Sequence, residues 1–320
     1  MPNPYEIYDL LQDYAGGVET VREIIIGLVW TYCEAEGCGL AMSPGIPTRT
    51  LPWAGSLRGK SVAELAAWVS EFDPYKATVG MAAINAAINC RHCLPAGHTL
   101  KPGNQGNLAV FEHFLPRMIG KKTIVIGRYP GLQEFVETRG LDLTVLERNP
   151  SHGDLVDTAC EYLLPEAEWV FLTASSIPNK TFPRLAELSR NAVTVLMGPT
   201  TPWIPDLHHF GIDYLAGVEI SDQETLRDTL AEGGGVRIFD AGVSYRVSPL
   251  TLAEASAWSK QLIAQTAAGK ESLTRGMDDW YRSGETRRYP RYAELDATNR
   301  RLSRLDTCFK QLWDEANHEK

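Results

Sequence analysis

The stretch that most constrains the fold is residues 121–130, KKTIVIGRYP. Four apolar or β-branched residues, Thr123–Ile126, end at Gly127 and run through a short loop into a helical pattern. A nucleotide-binding type of parallel sheet begins this way, because a strand covered on both faces needs an unbroken apolar run and a tight exit at its carboxyl end. The unit then recurs. Leu132–Arg139 reads as a helix closed by Gly140, and Leu143–Glu147 as a second strand. Residues 155–163 read as a helix, Trp169–Thr173 as a third strand, and 182–189 as another helix. Val193–Met197 reads as a fourth strand, 225–231 as a helix and 236–239 as a last strand. This alternation predicts an α/β fold over residues 96–245, a doubly wound parallel sheet with right-handed crossovers. Residues 108–118 read as the helix that leads into it, with His113 a structural residue on that helix.

Residues 1–95 have a different rhythm. A helix over 4–14 is ended by Gly16-Gly17. Residues 21–32 form one β-rich run, turned by 34–37 and returned by Cys38–Met42. A loop rich in Pro and Gly follows over 49–59. Ser61, with Glu64 three residues on, is a capping box for the next helix, which turns Leu65 and Trp68 inward. The helix over 74–89 is so rich in alanine that something must pack very close to it. This is a small α+β domain.

Composition excludes several classes. Apolar residues make up 44% and charged residues 22%, as in an ordinary soluble protein. The net charge is −9, and the acidic excess lies in the first 245 residues, which argues against a nucleic-acid partner. No apolar run is long enough to span a membrane, and the first residues, MPNPYEIYDLL, carry no signal-peptide pattern. A cytoplasmic location follows, where the six cysteines are free thiols or metal ligands rather than disulfides.

The loops at the carboxyl ends of the predicted strands carry the candidate site, because such loops converge on the ligand crevice of a doubly wound sheet. They hold Gly127, Arg128, Tyr129 and Pro130; Glu147; Thr173, Ser175, Ser176, Asn179 and Thr181; and Gly198, Pro199, Thr200 and Thr201. Hydroxyls, amides, prolines and glycines recur there with few long apolar groups, which suits a polar small-molecule site. Asn85, amid the alanines, is placed to reach across to these loops, and Arg49 and Arg58 in the Pro/Gly loop are placed to hold an anion. The GxGxxG fingerprint is absent, and Glu147, twenty residues after Gly127, reads as a capped strand end rather than a ribose-binding acid. Cys33, Cys38, Cys90 and Cys93 form two close pairs, with His92 and His98 beside the second, a candidate tetrahedral thiolate site for a transition-metal ion. His152, His208 and His209 are further candidate ligands. Two adjacent helical histidines point different ways, so at most one of the last pair faces the crevice. No nucleophile, carboxylate pair or P-loop is present.

Several phrases in fixed order carry a resemblance: VGMAAINA at 79–86, VIGRYP at 125–130, LTVLER at 143–148, GDLVD at 153–157, LTASSIPNKTFPRL at 172–185 and MGPTTPWIPDL…GIDYLAG at 197–217. Over residues 1 to about 245 the chain resembles the putative heavy-metal-chelation family, a pair of domains of unknown function. The resemblance implies a domain like the small amino-terminal domain of enolase, then a Rossmann-like domain, sharing a site at their interface. It implies binding of a metal or a metal-carrying small molecule there. Where relatives commonly have Asn-Gly-Thr after the third strand, this chain has Asn179-Lys180-Thr181, which changes the charge presented to the pocket.

Residues 246–320 lie outside that resemblance. Ser248-Pro249 predicts a helix start and Gly269 its stop; Pro290 precedes a longer helix. Leu295, Leu302, Leu305, Phe309 and Leu312 form its apolar stripe, which serves to pack back on the body, close a homodimer or dock a protein partner. Three functional readings stay open: a binder of a small ligand or metal complex between the domains; an enzyme using a nucleotide cofactor such as NAD(P) or S-adenosylmethionine; and a non-catalytic partner in metal-cofactor assembly.

Overall fold

The computed structural model describes residues 3–101, 105–151, 153–240 and 242–318. Its amino-terminal region is organised around the alanine-rich helix. The order is α1 (Glu6–Ala15), β1 (Glu23–Ile26), β2 (Trp30–Glu34), β3 (Cys38–Met42), α2 (Val62–Ala66) and α3 (Pro74–Arg91), with the three strands forming one antiparallel sheet. The β-rich run over 21–32 is therefore two strands. It reverses at 27–29, so that Ile24 pairs with Cys33, and Ser43 Oγ holds the turn by donating to the Gly27 carbonyl at 2.8 Å. Ser61 caps α2 by accepting from the Glu64 amide, and Asp73 caps α3 by accepting from the Lys76 amide, as their sequence positions predict. The alanines have a direct reason. A methyl group on Gly39 of β3 would collide with the Ala82 carbonyl and Ala86 amide of α3, and one on Gly80 would collide with the Val69 amide on the opposite side. Small residues on both partners let the backbones touch.

The second region is an eight-stranded sheet. It comprises β4 (His98–Thr99), α4 (Ala109–Met118), β5 (Thr123–Ile126), α5 (Leu132–Arg139), β6 (Leu143–Glu147), β7 (Leu155–Val156), α6 (Cys160–Leu163), β8 (Trp169–Thr173), α7 (Phe182–Leu188), β9 (Val193–Met197), β10 (Tyr214–Ile220), α8 (Gln223–Ala231) and β11 (Val243–Pro249). The strand order is β4-β11-β10-β9-β8-β5-β6-β7. The six strands from β10 to β7 pair in parallel, whereas β11 pairs antiparallel with β10 and with β4. The sheet is thus mixed, with an antiparallel edge on a parallel core. Residues 236–239 are a 3₁₀ turn rather than a strand, and 155–163 hold a two-residue strand, a 3₁₀ turn and one helical turn rather than a single helix.

The third region is a helical pair, α9 (Leu252–Arg282) and α10 (Tyr292–His318), which pack on each other. Thr251 caps α9, accepting from the Glu254 amide, while Ser248 and Pro249 still belong to β11. Gly269 does not stop the helix, because the cost of about 1 kcal/mol for glycine over alanine is small beside the packing of a 31-residue helix. Leu295, Leu305, Cys308 and Leu312 are buried, and α10 also packs on α1. Its apolar stripe folds back on its own chain. Ile7, Leu11, Ile84, Ile177, Trp203 and Leu305 belong to one core that runs through all three regions. Among the described residues no helix is long and apolar enough to cross a membrane.

Candidate functional site

The strand order leaves β5 toward β6 and β7 on one side and toward β8, β9 and β10 on the other. The switch point therefore lies between the carboxyl ends of β5 and β8, where open parallel sheets bind ligands. Gly127 and Thr173 meet there. Gly127 has φ +96°, and a methyl group on it would stand 3.2 Å from Thr173 Cγ2. Thr173 Oγ1 and Ser175 Oγ are 3.0 Å apart. Tyr129 packs edge-on against Phe111, and its buried hydroxyl lies beside Thr173. Burial pushes that hydroxyl's ionisation up, so it is a neutral donor.

The amino-terminal region covers the next strand ends. Asn85 Nδ2 on α3 donates to the Leu40 carbonyl at 2.8 Å and to the Thr200 carbonyl at 3.0 Å. The Met42 amide donates to Thr200 Oγ1 at 2.9 Å. The reach of Asn85 across to the strand-end loops is thus realised, and β3 supplies backbone partners that no side-chain pattern announces. Gly198, with φ +110°, lets the 197–201 turn close, and its carbonyl accepts from the Thr201 amide. Asn85, Ser176 and Thr201 are 2%, 0% and 3% exposed, yet Asn85 Oδ1, Ser176 Oγ and Thr201 Oγ1 have no partner among the described residues. Buried polar atoms are normally bonded, so these three single out α3 and the loops after β8 and β9 as the candidate site.

Other predicted residues are committed elsewhere. Glu147 accepts from the backbone amides of Arg128 at 3.0 Å, Arg148 at 2.8 Å and Asn149 at 3.4 Å, so it fixes the loop after β6. The Arg128 guanidinium turns outward to Asp154 and the Asn149 carbonyl. The Pro130 carbonyl accepts from Asn107. Asn179 Oδ1 accepts from the Thr181 amide and hydroxyl, closing its own turn. Pro199 is buried, and Arg49 stands exposed in the Pro/Gly segment. Lys180 has φ +74°, the backbone that glycine favours. Its ammonium donates to the Val69 carbonyl and lies 4.5 Å from the Tyr8 ring centre, so it is held against the amino-terminal region. Burial lowers its pKa to about 8.

The four cysteines do not converge. Cys33 belongs to the core containing α3, whereas Cys38, one strand over, joins the core with Tyr32 on the other face of the hairpin. The pleat separates them, because the residue directly opposite Cys38 is Glu34, not Cys33. Cys90 is exposed beside Glu36 at 3.8 Å, and Cys93 is drawn toward α9, whose Trp258 donates to its carbonyl. Burial raises the thiol of each of the four. Among the described residues no group of three His, Cys, Asp or Glu side chains is arranged as it stands to hold a metal ion. His92 is buried and bonds the Trp203 carbonyl through Nδ1 at 3.0 Å, the tilted rings of His98 and His113 lie 5.0 Å apart, and His152 lies outside the described residues.

The class is therefore an α/β protein whose small amino-terminal region packs on the loops after β8 and β9 of a mixed sheet. Two family models match the chain, one over residues 8–88 (DUF4213) and one over residues 109–248 (DUF364), and both carry the description "Putative heavy-metal chelation". Between them they span more than two thirds of the sequence, and the chain belongs to this family. An uncharacterized protein of Methanocaldococcus jannaschii is 32% identical over 170 residues, 51% of this chain and 62% of that protein's length. A DUF364 protein of unknown function from Desulfitobacterium hafniense has a similar structure, with TM-score 0.63, 28% identity, 78% of this chain covered and 100% of the other. Another from Pyrococcus horikoshii shares the fold, with TM-score 0.62, 22% identity and coverage of 77% and 99%. Both α9 and α10 begin after the last residue of the family models.

Proposed function

We propose that the chain binds a small polar ligand, a metal complex rather than a bare ion, in the crevice between the amino-terminal region and the strand ends of the large sheet. The observation that carries this reading is the set of unpartnered buried atoms, Asn85 Oδ1, Ser176 Oγ and Thr201 Oγ1, on elements from both sides of the crevice. The family description supplies the metal. The donor chemistry limits its form. A soft heavy-metal ion selects thiolate or imidazole, and the crevice offers neutral hydroxyl and amide oxygens instead. Those groups suit the periphery of a metal complex, where carboxylate, hydroxyl or amide edges hydrogen-bond to the protein. A nucleotide cofactor is less well served, since Glu147 already spends its carboxylate on three backbone amides.

The test is elemental analysis with native mass spectrometry on untagged protein, alongside a Ser176→Ala/Thr201→Val variant and a Cys90→Ser/Cys93→Ser variant. A metal-bearing adduct near one equivalent that persists in the cysteine variant and disappears from the crevice variant is the expected result. An adduct lost only from the cysteine variant would move the site to the thiols. Absence of any adduct after incubation with metal complexes would overturn the reading.

A further inference from the structure

Many cations of this chain are paired where they stand. Lys60, Lys76, Lys121 and Lys122 each meet a glutamate, Arg304 meets Asp13, and His208 and His209 lie beside Glu315 of α10 at 3.5 and 3.9 Å. Lys180, in the loop after β8, differs. It is half-buried, and its ammonium meets two neutral partners, the Val69 carbonyl and the face of Tyr8, with no carboxylate beside it among the described residues. We infer that Lys180 is a charge-recognition residue of the crevice, and that the ligand bound there carries an oxyanion, a carboxylate or phosphate group, which pairs with its ammonium. This rests on the crevice reading and narrows it from a polar ligand to an anionic one.

The loop presents the charge from a closed turn. The amides of Asn179, Lys180 and Thr181 donate to the carbonyls of Ser175, Ile177 and Ser176 at 3.2, 3.1 and 3.0 Å, and the Tyr8 hydroxyl donates to the Ile177 carbonyl at 3.1 Å. Lys180 is the only non-glycine residue at positive φ among the described residues, a backbone with a steric cost for any side chain. Its placement joins it to the neutral groups. Ser176, whose buried hydroxyl has no partner among the described residues, belongs to the same turn. Val69, which holds the ammonium, abuts α3, since a methyl group on Gly80 would stand 2.4 Å from the Val69 amide. Asn85, with its unpartnered Oδ1, follows on the same helix, about 7.5 Å further along the axis. A charge from the loop after β8 and an amide that reaches the loop after β9 are thus gathered on one stretch of α3.

The electrostatics ask for an anion. An ammonium has three N–H donors, and one carbonyl and an aromatic face leave donors to spare without neutralising the charge. Burial lowers the Lys180 pKa to about 8, with no neighbouring acid to hold it up. Tyr8 supplies no counter-charge, because burial pushes its ionisation up and keeps the phenol neutral. An oxyanion neutralises the ammonium and also accepts from hydroxyls such as those of Ser176 and Thr201.

The experiment titrates the full chain with citrate and with inorganic phosphate, using trimethyl citrate as the uncharged control. It reads affinity by calorimetry and the probe-induced rise in thermal midpoint, so that a change in a variant's basal stability does not enter. Lys180→Gln removes the charge at similar length, Lys180→Arg keeps it, and circular dichroism checks both. At least one anionic probe should bind the wild type, and trimethyl citrate should not. Affinity for that probe should fall at least about tenfold in Lys180→Gln and recover in Lys180→Arg. Ser176→Ala/Thr201→Val should lose the probe as well, which ties the anion to the crevice. Equal affinity in wild type and Lys180→Gln, or a metal-bearing adduct lost from Ser176→Ala/Thr201→Val yet retained in Lys180→Gln, would overturn the anion assignment and leave the crevice reading standing. Binding of neither anion to the wild type, or of trimethyl citrate as tightly as citrate, would overturn the assignment too.

Discussion

Two buried polar regions of this molecule differ in how they spend their hydrogen bonds. Where α3 meets the loops after β8 and β9 the unspent groups are neutral, and a carboxamide oxygen and two hydroxyls there have no partner among the described residues. The joint where α1, the 205–210 segment and α10 meet is ionisable, and its charged groups are paired, although His209 Nε2 there is buried with no partner among the described residues. Tyr14 donates to Asp206 at 2.6 Å, Arg91 and Arg301 both donate to the Gly16 carbonyl just past the end of α1, and Arg304 pairs with Asp13. Cations at a helix carboxyl end also complement its dipole. Neutral groups left unspent at the strand ends are what the proposed binding reading uses, whereas the paired charges of the joint act as a staple. The carboxyl-terminal extension is clamped to the body through these paired groups.

The largest expected effect tests the staple through pH. Burial raises the Asp206 carboxyl to about 6, against the opposing pull of its Tyr14 bond. Burial likewise lowers His92 to about 4, against the Trp203 carbonyl. The raised acid contributes stability that is present at low pH and lost as pH rises from about 4 through about 6. The lowered histidine contributes in the opposite sense, its penalty fading as pH rises from about 4 to about 6.5, so the two offset each other. Asp206→Asn removes one side. Relative to wild type, its unfolding free energy should gain on the order of 3 kcal/mol as pH rises from about 4 to about 7. Urea unfolding across that range measures it, and parallel profiles would show that Asp206 does not titrate in the folded joint.

The next effect belongs to the crevice wall. Asn85→Ala strips two buried carbonyls, those of Leu40 and Thr200, of a donor, and should cost about 2 kcal/mol in chemical denaturation as well as ligand binding. A smaller effect probes Lys180 between the two regions. At φ +74° an alanine carries a steric cost that glycine lacks, so Lys180→Gly should be more stable than Lys180→Ala by about 1 kcal/mol, read as a difference in thermal midpoint. Equal midpoints would mean that the turn relaxes. The smallest effect sharpens the comparison most. Ser176→Ala and Thr201→Val remove hydroxyls that bond nothing among the described residues, so each should change stability by less than about 0.5 kcal/mol while abolishing the proposed ligand binding. A loss well above that would place these hydroxyls in the folding network and remove the contrast between crevice and joint.

The legible parts of the fold were those whose signal is local. The strands Thr123–Ile126, Leu143–Glu147, Trp169–Thr173 and Val193–Met197 have the bounds their apolar runs predict, because strands flanked by neighbours on both sides leave continuous runs between turn residues. Ser61 and the alanine run announced a capped helix and a close packing partner. Tyr214–Ile220 and Val243–Pro249 went unread, since the second alternates buried and half-buried residues along an antiparallel edge and carries Arg246 and two serines. The apolar run VRIF at 236–239 looked like the missing strand and is a 3₁₀ turn instead.

For the site, the sequence alone determined which residue types stand at the strand ends, and the position of Asn85 on the alanine-rich helix. The separation of Cys33 from Cys38 was decided by the hairpin register, and the engagement of Glu147 by the backbone of its own loop. The meeting of His208, His209 and Glu315 was decided by the packing of α10. The physical reason is range. Turn chemistry and hydrophobic runs act over a few residues and are written into them. Which donors remain unspent, and which side chains meet, depends on hairpin register and loop geometry even between near neighbours, and on distant contacts such as Asn85 with Thr200, so only the folded chain decides it.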